Sequence, residues 1–178
     1  MVIKNEQILN AAASVLAHRP DATLQSIAKA AGISRTTIFN KYPTRDALLE
    51  ALAIDTLERI GAAMAKVPSN TDSDPIQVLT EVTQMLMQLG PRTAFMHVVP
   101  GWGNDVESHW AQAATPLAIY IAQLQGQGYL RGDQPVRWLT ASYIGLLFTA
   151  WDEISAGELG INQAATLIVE SWLSGSSR

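Results

Sequence analysis

Residues 24–42 read Leu24-Gln25-Ser26-Ile27-Ala28-Lys29-Ala30-Ala31-Gly32-Ile33-Ser34-Arg35-Thr36-Thr37-Ile38-Phe39-Asn40-Lys41-Tyr42. Two short helices cross tightly only where the contact residue is small, and Ala28 is that residue. The turn between them needs a residue that tolerates positive φ, which Gly32 supplies. Ile27, Ile33 and Ile38 then fill the angle between the helices. Thr23 is placed to cap the first helix and Ser34 the second, with Ile33 and Ile38 as a hydrophobic staple across that second cap. A small residue, a glycine four positions later and an aliphatic six beyond that is the spacing of a helix-turn-helix. The motif runs roughly from Thr23 to Tyr42.

The residues left over after this packing point to a ligand. The outer face of the second helix offers Arg35, Thr36, Thr37, Asn40 and Lys41. Arginine can make a bidentate contact to guanine and asparagine one to adenine, while threonine pairs with a base edge or packs its methyl on thymine. Lys41, Tyr42 and Arg45 suit phosphate oxygens. With the caps and the neighbouring polar positions, the candidate DNA contacts are Thr23, Gln25, Ser34, Arg35, Thr36, Thr37, Asn40, Lys41, Tyr42, Thr44 and Arg45. The plain alternative is a helical hairpin with an ordinary polar outer face.

Charge is distributed in the same sense. The 178-residue chain carries a net charge of −4. Residues 1–50 hold six basic and four acidic side chains, a balance of +2, and residues 51–178 hold six and twelve, a balance of −6. A mildly basic head on an acidic body fits a head that approaches phosphate. The chain has no cysteine, which removes disulfides, thiolate catalysis and cysteine-based zinc sites together. No secretory segment is indicated, and the apolar run Trp138–Trp151 is shorter than the roughly 20 residues needed to cross a bilayer. A cytoplasmic protein with no membrane partner is expected.

Outward from the motif, helical spacing continues and no strand pattern appears. Ile8, Leu9, Ala12, Val15 and Leu16 form a stripe that ends before Pro20. Thr44 caps a helix predicted to run to about Val67, and Pro68 to Asp74 reads as a polar loop. Asp74-Pro75 opens a helix to about Leu89. A short apolar segment, Arg92 to Val99, lies between Gly90-Pro91 and Pro100-Gly101. Asn104 with Glu107 resembles a capping box opening a helix to about Gly126, which Pro116 should kink or split. Helices over about Pro135–Ser155 and Asn162–Leu173 finish the chain. The fold class is all-α with about nine helices.

The first 50 residues also resemble the TetR family, the tetracycline-repressor-like regulators. The match runs through Ile8-Leu9-Asn10-Ala11-Ala12, Ser26 to Ser34, and Thr37-Ile38-Phe39-Asn40-Lys41-Tyr42-Pro43-Thr44-Arg45-Asp46-Ala47-Leu48-Leu49. A weaker echo is Gly128-Tyr129-Leu130-Arg131-Gly132-Asp133-Gln134-Pro135. The chain departs from the family pattern at Phe39, where tyrosine is usual, and at Lys41, Tyr42 and Arg45. The resemblance implies a three-helix DNA-binding domain over residues 1–47. It further implies a helical effector-binding and dimerisation domain over 48–178. A homodimer would place its two recognition helices in successive major grooves of a pseudo-palindromic operator. The helix around Trp138 to Trp151 supports a dimer independently, because its apolar residues go almost completely round; a centrally buried helix in a monomer is the alternative.

The resemblance also implies a ligand-responsive repressor. Met85, Phe95, His97, Trp102, Trp110, Tyr120 and Tyr143 are the candidate effector-pocket residues, each of which would otherwise be plain core. With few charges among them, a small apolar or aromatic effector is expected. A body that docks a protein partner instead of a small molecule is the second reading, and a small helical enzyme the third. Asp105 and His109 stand at a spacing usable for a metal, but no third ligand is evident, so neither metal nor cofactor is expected. No catalytic motif appears.

Overall fold

Local capping sets the element boundaries. In the structure, a computed structural model, residues 5–65, 74–98 and 103–176 are described, with the side chains of His97 and Val98 left aside. Among them are nine helices and no β-strand. They are α1 (Asn5–His18), α2 (Leu24–Ala30), α3 (Arg35–Lys41), α4 (Arg45–Met64), α5 (Pro75–Met87), α6 (Pro91–Val98), α7 (Asn104–Gly126), α8 (Val136–Ala156) and α9 (Ile161–Ser176). The all-α expectation holds.

Four caps stand where the sequence places them. Thr23 Oγ1 accepts from the Ser26 N–H at 3.2 Å, Ser34 Oγ from Thr37 at 3.0 Å, Thr44 Oγ1 from Ala47 at 3.1 Å and Asp74 Oδ1 from Ile76 at 3.0 Å. Two expectations need correction. Asn104 lies inside the first turn of α7, not at its cap: the Gly103 carbonyl already accepts the Glu107 N–H at 3.1 Å. Pro116 does not split α7, which runs through it from Asn104 to Gly126. The missing proline N–H costs one rung of the ladder, and 23 residues of helix outweigh it. The polar loop expected over residues 68–74 lies outside the described residues up to Asp74.

The chain forms two compact units: Met1–Leu57 with Pro91–His109, and Glu58–Gly90 with Trp110–Arg178. In the first unit, Ile8, Leu9 and Leu16 of α1, Ile27 of α2, Ile38 of α3 and Leu48 and Leu52 of α4 are all buried. Gly32 has φ +66, and a Cβ there would meet nothing within 4 Å. Its glycine is therefore required by the left-handed turn and not by crowding. The short segment 91–98 is a helix whose second residue, Arg92, is buried at 5% exposure. Its guanidinium donates to Asn10 Oδ1 through Nε (3.2 Å) and Nη2 (2.8 Å), and its Nη1 pairs with the Asp55 carboxylate. One side chain thereby ties α6 to α1 and α4.

In the second unit α5, α8 and α9 pack together. Tyr143 of α8 is wholly buried, its ring meeting Trp172 of α9 edge-on at 5.5 Å between centroids. The Trp172 indole N–H donates to the Leu139 carbonyl at 3.0 Å. Thr83 Oγ1 donates its only proton to the Leu79 carbonyl at 2.6 Å, so the Tyr143 hydroxyl is the donor in its bond to Thr83.

Burial pushes the Tyr143 phenol up to about 12. In the unfolded chain it titrates near 10. The neutral phenol is therefore favoured by folding. Its contribution is complete below pH 10 and is lost as pH rises from 10 towards 12, at ~1.4 kcal/mol per unit. Tyr143→Phe is expected to cost about 1 kcal/mol at neutral pH and to remove this alkaline loss. Urea unfolding at pH 7.5 and pH 11 checks both, and an equal alkaline decline in the two proteins would refute the assignment.

Candidate nucleic-acid interface

Helix α3 is held by α2 across Gly32 and by its own cap. Its buried side is Ile38, wholly inaccessible. Arg35, Thr36, Phe39, Asn40 and Lys41 are exposed. Thr37 is only half-exposed, and its hydroxyl is bonded to Ser34 Oγ at 2.7 Å. Thr37 is therefore turned towards the cap and away from the face that Thr36 and Asn40 present. Thr23, Ser34 and Thr44 are first of all helix caps.

Between α2 and α3 a cleft of about 600 Å³ is lined by Thr23, Gln25, Ser26, Ala28, Lys29, Ile33 and Arg35. Two cations, Lys29 and Arg35, border it with no acid among the lining residues. Lys29, in the last turn of α2, lies within the motif but outside the candidate contacts.

Two expected phosphate anchors are hydrogen-bonded within the chain. Tyr42 is 6% exposed and its hydroxyl donates to Asn5 Oδ1 at the start of α1. Burial, partly offset by that bond, raises its phenol above the usual value, with the Asp55 charge adding to the rise. Arg45 Nε donates to the Ala22 carbonyl at 3.2 Å and its Nη2 to the Pro20 carbonyl. This arginine braces the turn between α1 and α2. Lys41 is exposed.

The structure-based and sequence-based comparisons agree. Residues 8–52 match the model of the family described as bacterial regulatory proteins, tetR family. The chain is 38% identical over 101 residues to the HTH-type transcriptional repressor LfrR of Mycolicibacterium smegmatis, an alignment covering 56% of this chain and 52% of LfrR. The crystal structure of LfrR in complex with proflavine superposes with a TM-score of 0.80 at 26% identity, over 96% of this chain and 95% of that one.

The chain carries a TetR-family DNA-binding domain over residues 8–52.

The HTH-type transcriptional regulator NfxB of Pseudomonas aeruginosa is 24% identical over 99% of this chain and 96% of its own length. These TetR-family relatives are transcriptional regulators and not enzymes. Among the described residues no three His, Cys, Asp or Glu side chains are grouped to hold a metal. His109 Nδ1 instead donates to the Asp105 backbone carbonyl at 2.8 Å, one turn back. No described helix is long and apolar enough to cross a membrane.

The effector candidates fall in both units. Phe95, fully buried, belongs to the first. Met85, Trp110, Tyr120 and Tyr143 belong to the second, and the His97 side chain and Trp102 lie outside the described residues. Trp110 stacks on Phe148 at 6.3 Å between ring centroids. Tyr120 reaches the Pro75 carbonyl at 3.5 Å, and burial raises its phenol. Tyr143 is held by Thr83 and Trp172 as core. Trp151, outside the effector candidates, is buried at 6% exposure with an indole N–H that has no acceptor among the described residues. Only tertiary packing identifies such a donor.

Proposed function

We propose that this TetR-family regulator is a cytoplasmic, ligand-responsive repressor that binds a pseudo-palindromic operator as a homodimer. The observation that carries the reading is the face of α3, where Arg35, Thr36 and Asn40 stand exposed beside the cationic cleft. Residues 1–47 bind DNA, and residues 48–178 bind effector and form the dimer. Arg35, Thr36 and Asn40 read bases, with Gln25 at the cleft. Lys41 and Lys29 meet phosphate. Tyr42 and Arg45 act by bracing the head and not by direct contact.

The dimer uses the outer faces of α8 and α9. Trp138 is 62% exposed and Leu167 42%, and Ala141, Gly145 and Thr149 continue the exposed face of α8. Apolar and small residues on one exposed helix face suit a second helix pair. The effector is a small aromatic molecule, a reading supported by the proflavine complex of LfrR. It acts by preferring the conformation whose heads are wrongly spaced.

Selection of bound genomic fragments at about 50 mM salt, where phosphate attraction is strong, followed by footprinting, is expected to yield a palindromic protected site. Failure to bind any duplex there sinks the reading. Lys41→Ala should weaken all duplexes alike and reduce the salt slope by about one. Tryptophan fluorescence should report aromatic ligands; a response to charged, non-aromatic compounds alone would remove the effector assignment.

A further inference from the structure

Phe39 is the anomaly of the reading face. It is a phenylalanine on the exposed side of α3, 37% accessible, where every neighbouring exposed side chain is polar. The Arg35 guanidinium carbon lies 5.3 Å from the centre of its ring. The two residues are one helical turn apart, the spacing at which side chains meet on a helix surface. An aromatic face attracts a guanidinium through its quadrupole, and a phenyl ring does so without adding a hydroxyl that could bond elsewhere.

We infer that Arg35 and Phe39 act as one base-reading unit, with Phe39 a positioning residue that presents Arg35 to guanine while its outer edge packs on a thymine methyl. The inference rests on the DNA-binding reading above. A free arginine loses considerable rotamer entropy when it is fixed against a base. A guanidinium already lying on a ring has spent part of that loss before DNA arrives, so its planar fork meets the guanine N7 and O6 pre-oriented. The exposed part of the ring must itself become buried when α3 enters the major groove. The apolar group that the groove offers is the thymine 5-methyl. Four residues of helix rise about 6 Å, which is less than two base-pair steps at about 3.4 Å each. The guanine and the thymine therefore lie within two base pairs of each other in each half-site.

The test uses the intact protein and its selected operator, with single base-pair changes and with deoxyuridine in place of individual thymines. Wild type is expected to discriminate one guanine per half-site. It should also lose about fivefold in affinity when one thymine within two base pairs of that guanine lacks its methyl. Phe39→Leu should reduce discrimination at the guanine about tenfold and make binding indifferent to the deoxyuridine. Phe39→Tyr, which keeps the ring, should retain guanine discrimination, a rescue that a merely structural role would not give. Far-ultraviolet circular dichroism and thermal unfolding of the variants establish that the head is folded. Discrimination by Phe39→Leu within twofold of wild type overturns the inference, as does the absence of any deoxyuridine effect beside the guanine. Both results leave the DNA-binding reading standing, whereas failure of wild type to select any duplex removes that reading first.

Discussion

Asp55→Ala is expected to lower the free energy of unfolding by about 3 kcal/mol, more than Arg92→Met at the other end of the same ion pair. The two partners differ in how they are solvated. The Arg92 side chain is 6% exposed and that of Asp55 28%. Removing Asp55 leaves a buried guanidinium without its carboxylate, the situation in which one missing partner costs about 3–5 kcal/mol. Asn10, which accepts from Nε and Nη2, is neutral and does not replace the charge of that carboxylate. Removing Arg92 instead leaves a carboxylate that already reaches water, and methionine fills much of the arginine stem's volume. The expected cost is then about 1–2 kcal/mol, chiefly lost packing and hydrogen bonds. Urea unfolding at one fixed protein concentration, needed because dimerisation shifts apparent stability, measures both. If Arg92→Met is the more destabilising of the two, the clasp works through packing, and the charge argument is wrong.

That clasp marks where sequence reading stopped. The caps at Thr23, Ser34, Thr44 and Asp74 and the turn at Gly32 were legible because each is decided within four residues of chain. So was the exposed donor set of α3, which follows from helix period once Ile38 is known to face inward. The 91–98 segment gave only its apolar character. Nothing in its eight residues says that Arg92 will meet Asn10 and Asp55, which lie 82 and 37 positions away. The inward bonds of Tyr42 and Arg45 were illegible for the same reason. Residue type says that a phenol or guanidinium can reach phosphate, but their directions are set by Asn5 and by the Pro20 and Ala22 carbonyls. Phe39 is the converse case. Its departure from the family's tyrosine was visible in sequence as a lost hydroxyl, while what it gains, a ring beneath Arg35, depends on side-chain geometry. The α8 pattern was legible as apolar all round. The single chain divides that pattern into a buried side, with Leu139, Tyr143 and Trp151, and an exposed one led by Trp138.

The exposed side of α8 yields a test whose two effects have opposite signs. Gly145→Arg is expected to abolish the dimer and to reduce operator affinity about 100-fold or more, while leaving the isolated chain as stable as before or more so. Gly145 lies in the middle of α8 and is exposed, and a Cβ built on it meets nothing within 4 Å. Arginine therefore fits in the single chain without displacing anything. Glycine in an exposed helix interior is about 1 kcal/mol less favourable than a good helix former, so the substitution favours the helix. The damage comes only where a second helix lies close over Ala141, Gly145 and Thr149, since a long charged side chain then occupies the contact and is desolvated. Losing the dimer converts two linked recognition helices into independent ones. The affinity gained from linkage, about 10²–10⁴-fold, is lost with it. Gly145→Ala is the control: a single methyl is expected to leave the dimer measurable. Sedimentation and footprinting of the same preparations decide the matter. A Gly145→Arg protein that sediments as a dimer and protects the operator at wild-type concentrations would place the interface elsewhere. An unfolded Gly145→Arg chain would instead show that α8 is buried on this side within one subunit, contrary to its exposure here.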